Sequence, residues 1–145
     1  MKKLQTAIWA NFKEDLLDPI SGIQPTQMKK SAGTALSLVL DDSTKEKFGA
    51  DIIRFAPNSG VELHTHSGAH ILLVTKGTGV LTYRTFTFGD GIADEKHSLY
   101  PGLIYLIPSN VGHAIYAKTE LVLIAIGNDH QPVDSHERLN LISKQ

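Results

Sequence analysis

The sequence predicts an all-β domain, an antiparallel sandwich or barrel, on three observations. Short runs rich in β-branched and aromatic residues recur along the chain, Gly, Asn and Pro turns separate them, and no long amphipathic helical period interrupts them. At 145 residues the chain can bury a real core as one domain, and 41% hydrophobic with 20% charged residues is ordinary for a soluble globular protein.

The elements follow in order. Residues 1–33 read as an N-terminal arm of mixed charge with Pro19 and Pro25. There "KEDLLDPISGIQ" has the composition for a short helical turn and the rest for loop or edge strand. "TALSLVL" (34–40) is the first strand, rich in Leu and Val, and the polar "DDSTKEK" after it is a turn. "FGADIIRFAP" gives a second strand, stopped by Pro57 and the "NSG" turn. "VELHTH" alternates, "HILLVTK" is nearly continuous apolar, and "GVLTYRTFTF" alternates again. Gly77 to Gly79 ("GTG") lack the further glycine of a dinucleotide loop and read as a hairpin turn. "GDGIADEKHS" reads as a polar loop, "LIYLIP" as a short strand closed by Pro108, and "HAIYAK" and "ELVLIAI" as the last strong strands. Residues 127–145 form a polar tail whose "LNLI" is a final strand or a frayed turn.

Composition excludes several functions. A formal net charge of -1 gives no electrostatic argument for nucleic acid or an anionic membrane, and no run approaches the length of apolar residues a membrane span requires. The basic tip of the chain is followed by only a short apolar segment, soon interrupted by Lys13, Glu14 and Asp15, a poor secretory signal, so a cytoplasmic location is expected. With no cysteine there is no disulfide framework, thiolate zinc site or cysteine nucleophile. Any metal would be held by nitrogen and oxygen.

The residues that ask for chemistry lie in "VELHTHSGAHILLVTKGTG". Alternate side chains share a strand face, so His64 and His66 point the same way, with Glu62 on that face too. Two imidazoles so placed can converge on one cation. Ser67, Gly68 and Ala69 are small enough for a sharp turn that brings His70 back from the next strand. Further on, "PGLIYLIPSNVGHAIYA" opens another strand with His113.

Together these segments resemble the cupins, whose two motifs are G-x5-H-x-H-x3/4-E-x6-G and G-x5-P-x-G-x2-H-x3-N. His64, His66 and Gly77 match the first, with Asn58 at the position of its first glycine and His70 at that of the glutamate, at the shorter spacing. Gly102, Pro108 and His113 match the second, with Asn110 for its middle glycine and Ala117 for its final Asn. The resemblance spans about residues 51–126. It implies one jelly-roll barrel (34–126) between the arm and the tail, with His64, His66 and His113 as metal ligands near the barrel mouth. His70 in place of glutamate implies a four-histidine site.

Neutral imidazoles leave the charge of a divalent ion uncancelled, which favours anionic oxygen ligands and Lewis acidity. Nitrogen ligation suits Mn, Fe, Co, Ni, Cu or Zn over Ca or Mg. An octahedral ion with four protein ligands keeps two open positions, whereas tetrahedral zinc keeps none.

Other residues carry paired readings. Glu62 is either a base or ligand-orienting group near the metal or a solvated rim residue. Tyr105 and Tyr116 either line the cavity or pack in the core with one satisfied hydroxyl. Arg54 either binds a substrate carboxylate or faces water at an edge. His97, His130 and His136 lie in polar stretches and read as surface residues. Trp9 and the arm are candidates for contact with a second subunit, and a homodimer is expected. The functional expectation is a metal-dependent oxygenase or other oxidoreductase acting on a small oxygen-rich chelating molecule. Its alternatives are a non-catalytic metal- or ligand-binding module and a metal-assisted isomerase or lyase acting on a sugar or keto acid.

Overall fold

The computed structural model describes residues 25–41, 47–87 and 91–143. Trp9, the "KEDLLDPISGIQ" turn and most of "DDSTKEK" lie outside the described residues. Those described form strands only: β1 (Thr26–Gln27), β2 (Thr34–Asp41), β3 (Lys47–Phe55), β4 (Ser59–Thr65), β5 (His70–Lys76), β6 (Gly79–Thr87), β7 (Gly91–Leu99), β8 (Ile104–Ile107), β9 (His113–Ala117), β10 (Leu121–Gly127) and β11 (Asn140–Leu141).

They build two antiparallel sheets, ordered β1-β2-β3-β10-β5-β8 and β11-β4-β9-β6-β7. From β3 onward nearly every connection crosses from one sheet to the other, so sequence neighbours face each other across the core. The exception is the β6–β7 hairpin. This is the jelly roll.

Alternation along each strand supplies the two inner faces. Register aligns Ala35, Ile53, Leu123 and Val74 in one row across the larger sheet. Val61, Ile115 and Leu81 form a row across the smaller one, and all of these side chains are buried.

The turns explain the motif glycines. Gly77 has φ 82°, and a Cβ there would stand 1.8 Å from the carbonyl oxygen of Glu120. Gly102 has φ 90°, while Asn58 and Asn110 both have φ 59°. All four positions are therefore left-handed. Asparagine tolerates that region better than other side-chain-bearing residues, so its appearance at two glycine positions preserves the turn.

Three expectations change. Residues 77–79 do not close a hairpin, because β5 and β6 belong to different sheets. A local turn signal cannot tell pairing from crossing. Residues 91–98, read as loop, belong to β7, which pairs with β6 from Gly79↔Leu99 to Thr87↔Gly91. As an exposed edge strand β7 carries polar groups on both faces, which erases the alternation that would reveal it. The polar tail is built into the fold: His130, Val133, Arg138 and Leu139 are buried, and "LNLI" supplies β11, paired to β4.

Candidate metal centre

The site begins with an irregularity in β4. Val61 pairs with Ile115 and His64 with His113, so Glu62 and Leu63 together face the single residue Ala114. This β-bulge resets the alternation. Val61 and His64 both point into the barrel, and Glu62 is exposed outside it. The expectation that Glu62 shares the face of His64 and His66 is therefore corrected. Glu62 instead contributes its backbone carbonyl.

That carbonyl accepts the Nδ1 proton of His64 at 2.8 Å. His66 Nδ1 donates to the carbonyl of Gly68 at 2.7 Å, and His113 Nδ1 to that of Val111 at 2.9 Å. With Nδ1 committed as donor, each neutral ring presents a lone pair on Nε2. One ring nitrogen from each of the three residues lies within 4.8 Å of the others. Ring centroids are 4.2 Å apart for His64 and His113, 4.8 Å for His66 and His113, and 5.7 Å for His64 and His66. The backbone locks this arrangement further, since Asn110 N–H donates to the carbonyl of His66 at 2.8 Å and Ile142 N–H to that of Leu63 at 2.9 Å.

Burial keeps the rings neutral. Desolvation pushes His64 down to about 4 and His113 to about 3, against the smaller opposing effect of their carbonyl partners. His66 is lowered for the same reason, and His70 falls to about 3 through desolvation and the neighbouring His66.

His70 stands beside the triangle. Its ring stacks on His66 with centroids 4.2 Å apart, and Nε2 is buried with no hydrogen-bond partner. The small residues before it serve as expected: a Cβ on Gly68 would come within 1.9 Å of the Asn128 carbonyl oxygen. Gly127 is equally constrained, since a Cβ there would meet His70 Cδ2 at 2.3 Å.

Behind His70 lies a polar cluster that the sequence reading missed. His130 is 1% exposed, and its Nε2 donates to Asp51 Oδ2 at 2.6 Å. Arg138 Nη2 donates to the same carboxylate oxygen, and Nη1 to the carbonyl of Gln131 at 2.5 Å. Burial alone would raise the pKa of Asp51, but the His130 hydrogen bond and the Arg138 charge hold it below the usual carboxylate value. The side chains of Asp51 and His130 are fully buried. Only the alternation of "FGADIIRF", which puts Asp51 on the apolar face of β3, hinted at this cluster.

The remaining candidates lie elsewhere. Arg54 points off the outer face of β3 and pairs with Glu120, which also binds Lys76 at 3.0 Å. Tyr116 is 48% exposed and donates to Asn58 Oδ1 at 3.1 Å. Tyr105 packs against the core and donates to the carbonyl of Ser98 at 2.9 Å. None of the three lines the histidine cavity. His97 and His136 are exposed, as expected.

The four histidines line a partly open cavity of about 50 Å³, walled by apolar residues such as Phe55, Leu72 and Ile115, with Arg138 the one Lys or Arg among the described lining residues. That space holds an ion and a few waters or a small acid. Three convergent lone pairs, each fixed by a backbone carbonyl on the far side of its ring, with the His70 ring stacked beside them, are a donor set that fits a divalent transition metal.

A two-sheet antiparallel roll with inward histidines on β4 and β9 defines a class, and sequence comparison agrees. The family model described as "Cupin" matches residues 35–141, and the chain belongs to that family. No curated protein sequence matches it. Among solved structures, an oxalate decarboxylase of Bacillus subtilis aligns with TM-score 0.63 at 17% identity, over 81% of this chain and 30% of that one. The polyketide cyclase RemF of Streptomyces resistomycificus aligns with TM-score 0.56 at 15% identity, over 85% and 78%. Vicilin of hazelnut, Corylus avellana, aligns with TM-score 0.60 at 15% identity, over 72% and 33%. The chain thus spans about a third of the decarboxylase and of vicilin. At these identities the likeness is one of fold.

Proposed function

We propose that His64, His66 and His113, with His70 as fourth donor, hold one divalent transition metal ion, and that the protein is an oxygenase or related oxidoreductase acting on a small, oxygen-rich, chelating organic molecule. The observation that carries this reading is the convergence of three imidazoles whose Nδ1 atoms are all bound by backbone carbonyls. When bound, the ion would supply Lewis acidity and open positions for oxygen donors. The chain's own part is to hold the rings neutral and to line the approach to them with apolar walls that suit a small molecule. Arg138, also in the wall, is committed to Asp51 and to the Gln131 carbonyl, so the metal and not the guanidinium would be the charge that attracts an anionic donor.

A lysine or carboxylate in the cavity would support the isomerase or lyase alternative. Among the described residues the lining includes neither, and Glu62 faces out. The structural likeness to an oxalate decarboxylase keeps small carboxylates in the test panel. A homodimer is proposed on the outer face of the larger sheet, where register sets Ile126, Ile71 and Leu106 in one row beside Ile104, with exposures of 41%, 47%, 66% and 64%. Light scattering of wild type and Leu106→Lys tests it: a monomeric wild type ends the proposal.

Two measurements test the function. Titration of untagged protein with Mn, Fe, Co, Ni, Cu and Zn should give one ion per chain, lost in His64→Ala and His113→Ala. The loaded protein should then consume oxygen with at least one of a panel of enols, diketones, catechols and small carboxylates. Absence of binding removes the metal centre; binding with no oxygen uptake, and unchanged ligand, leaves a non-catalytic module.

A further inference from the structure

We infer that the buried Asp51–His130 pair is the positioning partner of His70: His130 Nδ1 accepts the Nε2 proton of His70, which fixes the ring as its Nε2–H tautomer and leaves Nδ1 as the atom offered to the cavity. Four observations converge. His130 Nε2 is committed to the acceptor-only carboxylate of Asp51 at 2.6 Å, so neutral His130 has its lone pair on Nδ1. That Nδ1 is buried without a partner, and so is His70 Nε2. The two rings are neighbours, with centroids 5.0 Å apart and planes tilted by 38°, close enough for one shared proton to link them. The Cδ2–Nε2 edge of His70 packs against Gly68 and Gly127, the side from which the 127–130 segment approaches.

Two buried nitrogens without partners on neighbouring rings each carry a desolvation penalty, and a single shared proton removes both. His70 then differs from its neighbours in kind. His64, His66 and His113 are oriented by backbone carbonyls and offer Nε2, whereas His70 is oriented by a side chain tied to a carboxylate and offers Nδ1. As a device for placing a ligand, the inference rests on the metal reading above. The hydrogen bond itself does not, and it can be tested without metal.

The test uses metal-free full-length protein labelled with ¹⁵N-histidine, observed by long-range ¹H–¹⁵N correlation at pH 7.5. The expected pattern is Nδ1–H tautomers for His64, His66 and His113, and Nε2–H for His70. In His130→Gln, which keeps a donor toward Asp51 but places nothing at the Nδ1 position, the His70 signal alone should lose its single-tautomer character. His130→Asn, whose amide oxygen falls near that position, should restore it. Affinity for Co²⁺, measured by competition, should fall about 10–100-fold in His130→Gln and recover in His130→Asn. An Nδ1–H tautomer at His70 in the wild-type protein overturns the inference, even if both variants fail to fold. Unchanged Co²⁺ affinity in His130→Gln overturns the positioning role. The expected tautomers with no Co²⁺ binding in wild type would instead overturn the metal reading and leave the hydrogen bond standing.

Discussion

Replacing Asp51 by Asn removes one charge and changes almost no volume, so its cost isolates electrostatics. The carboxylate is fully buried, accepts from both His130 and Arg138, and balances a guanidinium only 7% exposed. Breaking a buried pair by neutralising one partner costs about 3–5 kcal/mol, because the remaining charge stays in a poor solvent. Arg138 keeps the carbonyl of Gln131, which places the expected loss near the lower end, about 3 kcal/mol. With a urea dependence of about 2 kcal/mol per M, the midpoint should fall by about 1.5 M. The assay is urea unfolding of metal-free protein followed by far-UV circular dichroism at pH 7.5. Adding Arg138→Met to the Asp51→Asn variant should recover at least half of the loss, since the stranded charge goes as well. A midpoint shift below about 0.3 M in the single variant, or no recovery in the double, would refute the reasoning.

Other outcomes follow from the same geometry. The folded pKa values of His64, His70 and His113 lie at about 4, 3 and 3, below the value in an unfolded chain, so the unfolded state takes up protons first as pH falls. Metal-free protein should keep its full stability above about pH 7 and lose up to about 1.4 kcal/mol per pH unit per ring below pH 6, visible as a steep drop in Tm between pH 7 and 5; a flat profile would contradict it. Gly77→Ala adds a Cβ 1.8 Å from a backbone oxygen at φ 82°, whereas Gly102→Ala at φ 90° meets nothing within 4 Å. Thermal unfolding should therefore show the first as markedly worse, with the second costing only backbone strain of about 1–2 kcal/mol. Asn110→Gly, at φ 59°, should stay within about 1 kcal/mol of wild type, while Asn110→Val should cost more.

Much of this was legible in the sequence because strands show either as period-two alternation or as short apolar, β-branched runs bounded by turn residues. "HILLVTK" coincides with β5, and the His64, His66 and His113 spacing led to three rings that do converge. What stayed hidden has a common physical cause, dependence on partners distant in sequence. The bulge at Glu62 and Leu63 has no residue signature, since it is defined only by the register against β9. His130 sits between Asp129 and Gln131 and looks like surface, yet its burial is set by Asp51, 79 positions away. The polar edge strand β7 and the crossing at Gly77 escaped for the same reason, since neither local run says which strand, if any, lies beside it.

The buried tail has a consequence for how such a protein is made. All four imidazoles have left the ribosome once Ala117 emerges, yet the strand that joins β3 to β5 is β10, and the groups that finish the cavity arrive only with residues 130–141. During translation the histidines are thus displayed on a ribbon that is not yet closed. If they hold an ion as proposed, cavity shape can discriminate among ions only once residues 130–141 have been added, so the supply of ions at that moment would help to decide which one is held.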